Sequence, residues 1–207
     1  ANELYPNLSE FVEVIADLAG LEADLARTVG PRGEILDTAS ERLAEIRREV
    51  RIAHRRLLDR LNRMLTDAAY AGAIQDAIVT MREGRYVIPV RADRRAQIPG
   101  VVHATSASGQ TLFVEPMAVV ELNNRWRELQ MAEEHEVEAI LRARSEQIAA
   151  AADDLDQTVE AVAAIDLALA KARLAFSMRA VEPILVEASG PGAPGGHPRH
   201  RIDLRQA

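Results

Sequence analysis

Residues 82–124 read REGRYVIPVRADRRAQIPGVVHATSASGQTLFVEPMAVVELNN, and their reading decides the fold. Along 85–91, Tyr86, Ile88 and Val90 share one face while Arg85, Val87, Pro89 and Arg91 share the other. That is the period-2 pattern of a strand rich in β-branched residues. Pro89 cannot donate to a ladder, so an edge strand or a bulge is expected there. Glu83-Gly84 suits a hairpin turn from a strand beginning near residue 77. Residues 101–105 and 111–114 read as two more strands, with Ser108-Gly109 supplying a turn that tolerates positive φ. Glu115-Pro116 then stops the sheet, and Pro116 suits the first turn of a helix. The expectation is two hairpins, 77–91 and 100–114, joined by an Arg-rich loop.

The flanks are helical in pattern. Residues 8–29 carry Val12, Ile15, Leu18, Leu21 and Leu25 at 3–4 spacing behind a possible Ser9 cap, and Gly30-Pro31-Arg32-Gly33 breaks the pattern. Asp37 or Thr38 can cap a following helix to about residue 67, with Glu41 completing a capping box from Thr38. Its stripe is Leu43, Ile46, Val50, Ala53, Leu57, Leu61 and Met64, and its length is about 45 Å. From Pro116 to about residue 152 a second long helix carries Val119, Leu122, Trp126 and Leu129, then Val137, Ile140, Leu141 and Ile148. AEEHE at 132–136 interrupts that stripe, so this turn is expected in solvent. Residues 155–176 form a further helical pattern with Val159, Val162, Ile165, Leu169 and Phe176 on one side; Asp153-Asp154 either caps it or lies inside one continuous helix. The pattern ends by Pro183, and the Pro/Gly-rich run 189–198 reads as a loop. The fold class is therefore mainly α, with long antiparallel helices and an inserted small antiparallel β subdomain. The segments are 1–76 helical, 77–115 β, 116–180 returning helices and 181–207 a linker.

The 207 residues include no cysteine, which excludes disulfides and Cys-based metal or redox sites. No apolar run approaches the ~18 residues a membrane span needs, and no signal peptide is evident, so a cytoplasmic protein without membrane contact is expected. The net charge of −7 conceals segregation. Residues 41–95 hold 13 basic and 8 acidic side chains, whereas 115–166 hold 4 and 13. A basic middle in an acidic chain fits local polyanion contact as well as pairing between neighbouring helices.

The motifs RYVIPV, PGVVH, SASGQTLFVEP and VVELNN resemble a signature of the bacterial type-two MutS proteins, paralogues of mismatch-repair MutS linked to suppressing recombination. GEILDTAS at 33–40, with Leu43 and Ile46-Arg47, extends the resemblance to roughly residues 30–180. One departure is Ala104, where the family usually has Asp after the His. The resemblance implies the lever and clamp region of such a protein, with the clamp inserted in the lever and touching the DNA backbone. It further implies, for a full-length protein, dimerisation, binding of branched or duplex DNA, an ATPase using ATP and Mg, and a nuclease-like Smr domain. A ribosome or RNA partner is an alternative the same family implies.

No catalytic constellation is read within the chain. A Walker A loop is absent, and Lys171 sits mid-helix in LAKARL. The G-x-G-x-x-G match at 190–195 lacks the flanking strand and helix, and its prolines remove backbone donors. His197 and His200 are too few for a metal site. His103 with Ser106 and Ser108 lacks an adjacent acid, and turns favour serine for other reasons. No cofactor or metal site is therefore expected in this chain. What remains is backbone phosphate contact. Arg82, Arg85, Arg91, Arg94 and Arg95 supply charged forks, and Ser106, Ser108, Gln110 and Thr111 supply further polar donors at the other turn. Without an aromatic stacking platform, such contact is expected to be non-specific and salt-sensitive. Arg47, Arg48, Arg51, Arg55, Arg56, Arg60 and Arg63 read as a salt-bridged helix face, with Arg55–Asp59 and Asp59–Arg63 as i,i+4 pairs. The alternative function is a helical interaction or dimerisation scaffold.

Overall fold

The structure is a computed structural model that describes residues 6–181. His197, His200, the 189–198 run and the helix end expected at Pro183 lie outside the described residues. The described part is mainly α, with one four-stranded antiparallel sheet: helices α1 (Pro6–Glu13), α2 (Ala19–Thr28), α3 (Glu41–Thr66), α4 (Met117–Ala150) and α5 (Ala152–Met178), and strands β1 (Thr80–Arg82), β2 (Arg85–Arg91), β3 (Gly100–Thr105) and β4 (Thr111–Pro116). Two compact units divide the chain: Asp17–Asp153, and Ala1–Ala16 together with Asp154–Ala207. No helix among the described residues is long and apolar enough to cross a membrane.

Both hairpins form where the turn residues predict. Glu83 and Gly84 have φ of 50° and 72°, and Gly109 has φ of 71°. The sheet order β1-β2-β4-β3 puts β2 inside the sheet, which corrects the edge expected from Pro89. The β1 ladder stops at Thr80↔Val87, so Pro89 lies beyond it. The Pro89 carbonyl accepts from Gln75 N at 2.9 Å, and its missing N–H faces that same irregular side. The bulge occurs in β3 instead, between Val102 and Ala104, leaving His103 as the extra residue.

One core joins the sheet to the two long helices of the larger unit. Leu57, Leu61 and Met64 from α3 and Val119, Trp126 and Leu129 from α4 pack with Ile88, Val90, Ile98 and Val114. The helices are antiparallel. Ser40 donates to Glu136 near one end, and His54 stacks on Trp126 nearer the other, at 5.4 Å between centroids. The α3 stripe is buried at Leu43, Ala53, Leu57, Leu61 and Met64 and half-buried at Ile46 and Val50, but the cap is Ser40, whose Oγ accepts from Leu43 N at 2.9 Å, after a 3-10 turn at Asp37–Ala39.

AEEHE lies only partly in solvent: Glu134 and His135 are exposed, but its other two acids are not free. Glu133 accepts from Arg47 Nε at 2.8 Å, and Glu136 pairs with Arg42 at 3.3 Å, so these acids bind α3 where apolar contact lapses. Arg47 also donates to Asp37 at 2.7 Å. That bond, reinforced by Glu133, holds its proton more firmly than usual against the cost of burial. The α4–α5 break falls at Ala151, two residues before Asp153.

The helix expected over 8–29 forms as two pieces, α2 over Ala19–Thr28 and, in the smaller unit, α1, which stops at Glu13; Ser9 is therefore inside a helix rather than capping it. Past that end, Ala16 N donates to Thr158 Oγ1 of α5 at 3.0 Å.

Candidate nucleic-acid interface

The nine residues singled out from the sequence separate into two groups. Arg82 and Arg85 flank the Glu83-Gly84 turn, beside α4, whose Arg127 donates to the Glu83 carbonyl at 3.0 Å. Arg91, Arg94 and Arg95 leave the opposite end of β2, where the Ser106–Thr111 turn also lies: Ala92 N donates to the Gln110 carbonyl at 2.9 Å.

At the helix-proximal end, both arginines have partners. Arg82 covers the Phe113 ring with its guanidinium carbon 4.1 Å from the centroid, and also donates to the Met81 carbonyl. Arg85 Nη1 donates to Glu115 Oε1 at 2.9 Å, and His103 Nε2 lies 2.7 Å from Glu115 Oε2. Glu115 is only 2% exposed. Enclosing a carboxyl group this far is costly unless it is paired and hydrogen-bonded, and Arg85 and His103 supply those contacts. His103 is thus a structural partner. The bulge in β3 displaces it from the ladder, and its ring meets the carboxylate. Sequence reading missed Glu115, taking Glu115-Pro116 as a terminator of the sheet. Its available signal was diagonal cross-strand proximity to Arg85, since Ile88↔Val114 sets Glu115 opposite Val87.

Asn123 was also missed. Its Oδ1 accepts from Tyr86 N and its Nδ2 donates to Tyr86 O, both at 3.1 Å, in a wholly buried position. Extending the β2–β4 register places Pro116 opposite Tyr86. Proline has no N–H to give, so the Asn123 amide replaces the missing ladder partner. Tyr86 OH lies 2.7 Å from His54 Nε2, and the Tyr86 ring lies 5.1 Å from Trp126. Strand β2 is thereby tied to both long helices.

At the other end, a cleft of about 490 Å³ is lined by Gln75, Arg91, Asp93, Ser108 and Gln110, among others. Arg91 makes a two-point contact with Asp93, at 3.2 and 3.1 Å, and Arg94 approaches the same carboxylate at 3.8 Å. The hydrogen bond from Arg91 holds the Asp93 carboxyl below the usual range. Arg95 is turned inward to the Gly100 carbonyl. Ser106 Oγ accepts from Thr111 N at 3.1 Å and lies 3.3 Å from Ser108 Oγ, so Ser106 and Thr111 build the turn. Arg91, Ser108 and Gln110 are exposed on the wall of the cleft, and Arg94 is exposed next to Asp93. Guanidinium, hydroxyl and amide donors from separate segments converge there, which is suited to phosphate oxygens.

No family model matches the chain. Over 206 residues, spanning all of it, the chain is 63% identical to the Endonuclease MutS2 of Thermomicrobium roseum, covering 26% of that protein. It is 48% identical over 181 residues to the Endonuclease MutS2 of Symbiobacterium thermophilum, covering 87% of this chain and 23% of that relative. A third, the Endonuclease MutS2 of Geobacillus thermodenitrificans, is 41% identical over 176 residues, covering 85% of this chain and 22% of its own length. The chain thus spans about a quarter of the length of these curated relatives.

Proposed function

We propose, from the premise that the chain belongs to the MutS2 family, that it is a non-catalytic lever and clamp region contacting nucleic-acid backbone without sequence preference. In this reading the antiparallel pair α3–α4 is the lever and the sheet is the clamp. The supporting observation is the convergence of Arg91, Ser108 and Gln110 on one cleft at the end of the sheet away from the 83–84 turn, with Arg94 exposed beside Asp93 of its lining. Donors of this kind hold phosphate oxygens, and such contacts carry no sequence information. The longer protein would couple this contact to an ATPase using ATP and Mg, act in repair or recombination control, and carry the endonuclease activity its relatives are named for. The test is titration of the chain with duplex, branched and single-stranded DNA across a salt series. Binding with a negative log–log slope, weakened by Arg91→Gln with Arg94→Gln, is expected. Undetectable binding at low salt removes the reading.

A second reading, an interaction scaffold forming a homodimer, is favoured by α5. Val162, Leu169 and Phe176 recur at heptad spacing and are 51%, 51% and 86% exposed.

A further inference from the structure

We propose that the outer face of α3 is a second and larger backbone-binding surface, for double-stranded nucleic acid. It rests on the reading that this chain contacts nucleic acid, and assigns that contact to residues outside the clamp cleft. The sequence pattern marks this face as salt-bridged, and the structure overturns that. Arg48, Arg51, Arg55, Arg56, Arg60 and Arg63 are all exposed. Among the described residues, none has an ion pair or a side-chain hydrogen bond. Asp59 stands four residues from both Arg55 and Arg63 and pairs with neither. Glu49 is already taken by Arg125 of α4, at 2.8 Å. Arg47 is the exception on this helix, held by Asp37 and Glu133.

The contrast with the clamp matters. There Arg82, Arg85, Arg91 and Arg95 each have a partner already. On α3 the free guanidinium groups stand on a helix fixed by Leu57, Leu61 and Met64 in the core. They run from residue 48 to 63, roughly 22 Å at ~1.5 Å per residue. Neighbouring pairs at i,i+3 and i,i+4 (Arg48–Arg51, Arg51–Arg55, Arg56–Arg60, Arg60–Arg63) repel and weaken the helix. An anionic partner relieves that repulsion. Arginine forks suit phosphate oxygens. Duplex DNA presents a charge about every 1.7 Å of axis, enough for a straight row of this length to engage several phosphates. Ile52 is the exposed large apolar residue on this face, and the rings of His54, Tyr86 and Trp126 meet one another on the core side. Single-strand binding needs aromatic platforms, so the face suits a duplex.

The test compares three forms of the chain: unsubstituted, Arg51→Gln/Arg55→Gln/Arg56→Gln/Arg60→Gln, and Arg91→Gln/Arg94→Gln. Each is titrated with DNA and RNA duplexes of one sequence across a salt series. The α3 arginines touch nothing that folding requires, so circular dichroism and thermal midpoint should match the parent. The α3 variant should bind duplex at least ~10-fold more weakly and lose about 3 to 4 from its log–log salt slope, near 0.9 per phosphate contact. A matching Arg→Lys set should restore the slope. Retention of parental affinity and slope by the Gln variant overturns the α3 assignment, and loss in the Arg91/Arg94 variant alone leaves the clamp reading standing. Loss in the α3 variant alone sustains this inference and overturns the clamp cleft. No binding by the parent at low salt overturns both. Equal weakening on DNA and RNA marks phosphate as the ligand, and weakening on one alone confines the surface to that duplex.

Discussion

At the scale of single residues, Glu115 carries the most stored consequence. Its carboxylate is enclosed by Arg85 and His103, and removing it leaves two polar groups without their acceptor. Breaking a buried ion pair by deleting one member costs about 3 to 5 kcal/mol. Glu115→Ala should therefore lower unfolding free energy by about 3 kcal/mol in urea titration, with Glu115→Gln losing less because its amide oxygen still accepts from Arg85. A cost within ~0.5 kcal/mol, as for an ordinary surface change, contradicts the role assigned to the cluster. Asp93 gives a pH prediction. Its pKa is lowered in the folded chain by Arg91. A depressed acid stabilises the fold above its unfolded pKa and gives that stability up as pH falls through the folded value. The Asp93 carboxyl should thus titrate, by NMR, below a free aspartate, and Arg91→Gln should move its midpoint up. An unchanged midpoint in that variant rules out the Arg91 bond as the cause.

At the scale of elements, the strands and turns were legible because alternation and turn chemistry act over a few residues. Tyr86-Val87-Ile88 and Glu83-Gly84 announce a strand and a hairpin from local steric preference alone. The elements' partners were less legible. Glu133 and Glu136 read as solvent-facing because their Arg47, Arg42 and Ser40 partners lie far away in sequence. Asn123 reads as one more polar helix residue, since its use follows from Pro116 falling opposite Tyr86. The exposed arginines of α3 were legible as a charged face, but spacing could not show that Asp59 would leave both neighbours unpaired. The junction of β2 with α4 yields a prediction at this scale. Asn123→Ala removes two hydrogen bonds and buries an unpaired peptide edge at Tyr86, a loss of about 2 kcal/mol. Hydrogen exchange of the Tyr86 amide should rise beyond the global change in stability, because the opening is local. Uniform acceleration across β2 and α3 instead would show that Asn123 acts only through overall stability.

At the scale of the whole molecule, the two units treat apolar residues differently. In the unit of residues 17–153, the α3 stripe and the Val119–Leu129 part of the α4 stripe meet each other and the sheet, leaving Val119 and Leu57 fully buried. In the other unit, α1 and α5 bury Ala161, yet Val159 is 65% exposed and Phe176 is 86% exposed. An apolar row of this kind is costly in water at roughly 25 cal/mol per Å², and exposed contiguous apolar surface marks an interaction site. Heptad spacing of Val162, Leu169 and Phe176 gives the row the seam of a coiled coil, and a second copy of the same helix offers a matching seam. The chain should then sediment as a concentration-dependent dimer. Val162→Asp with Leu169→Asp should give a monomer at every concentration, with helicity by circular dichroism retained, since both side chains are exposed. The Arg51→Gln/Arg55→Gln/Arg56→Gln/Arg60→Gln variant should dimerise like the parent, because its substitutions lie on another helix and another unit. A parent that stays monomeric at high concentration, or an α5 variant that still dimerises, removes this helix from the interface.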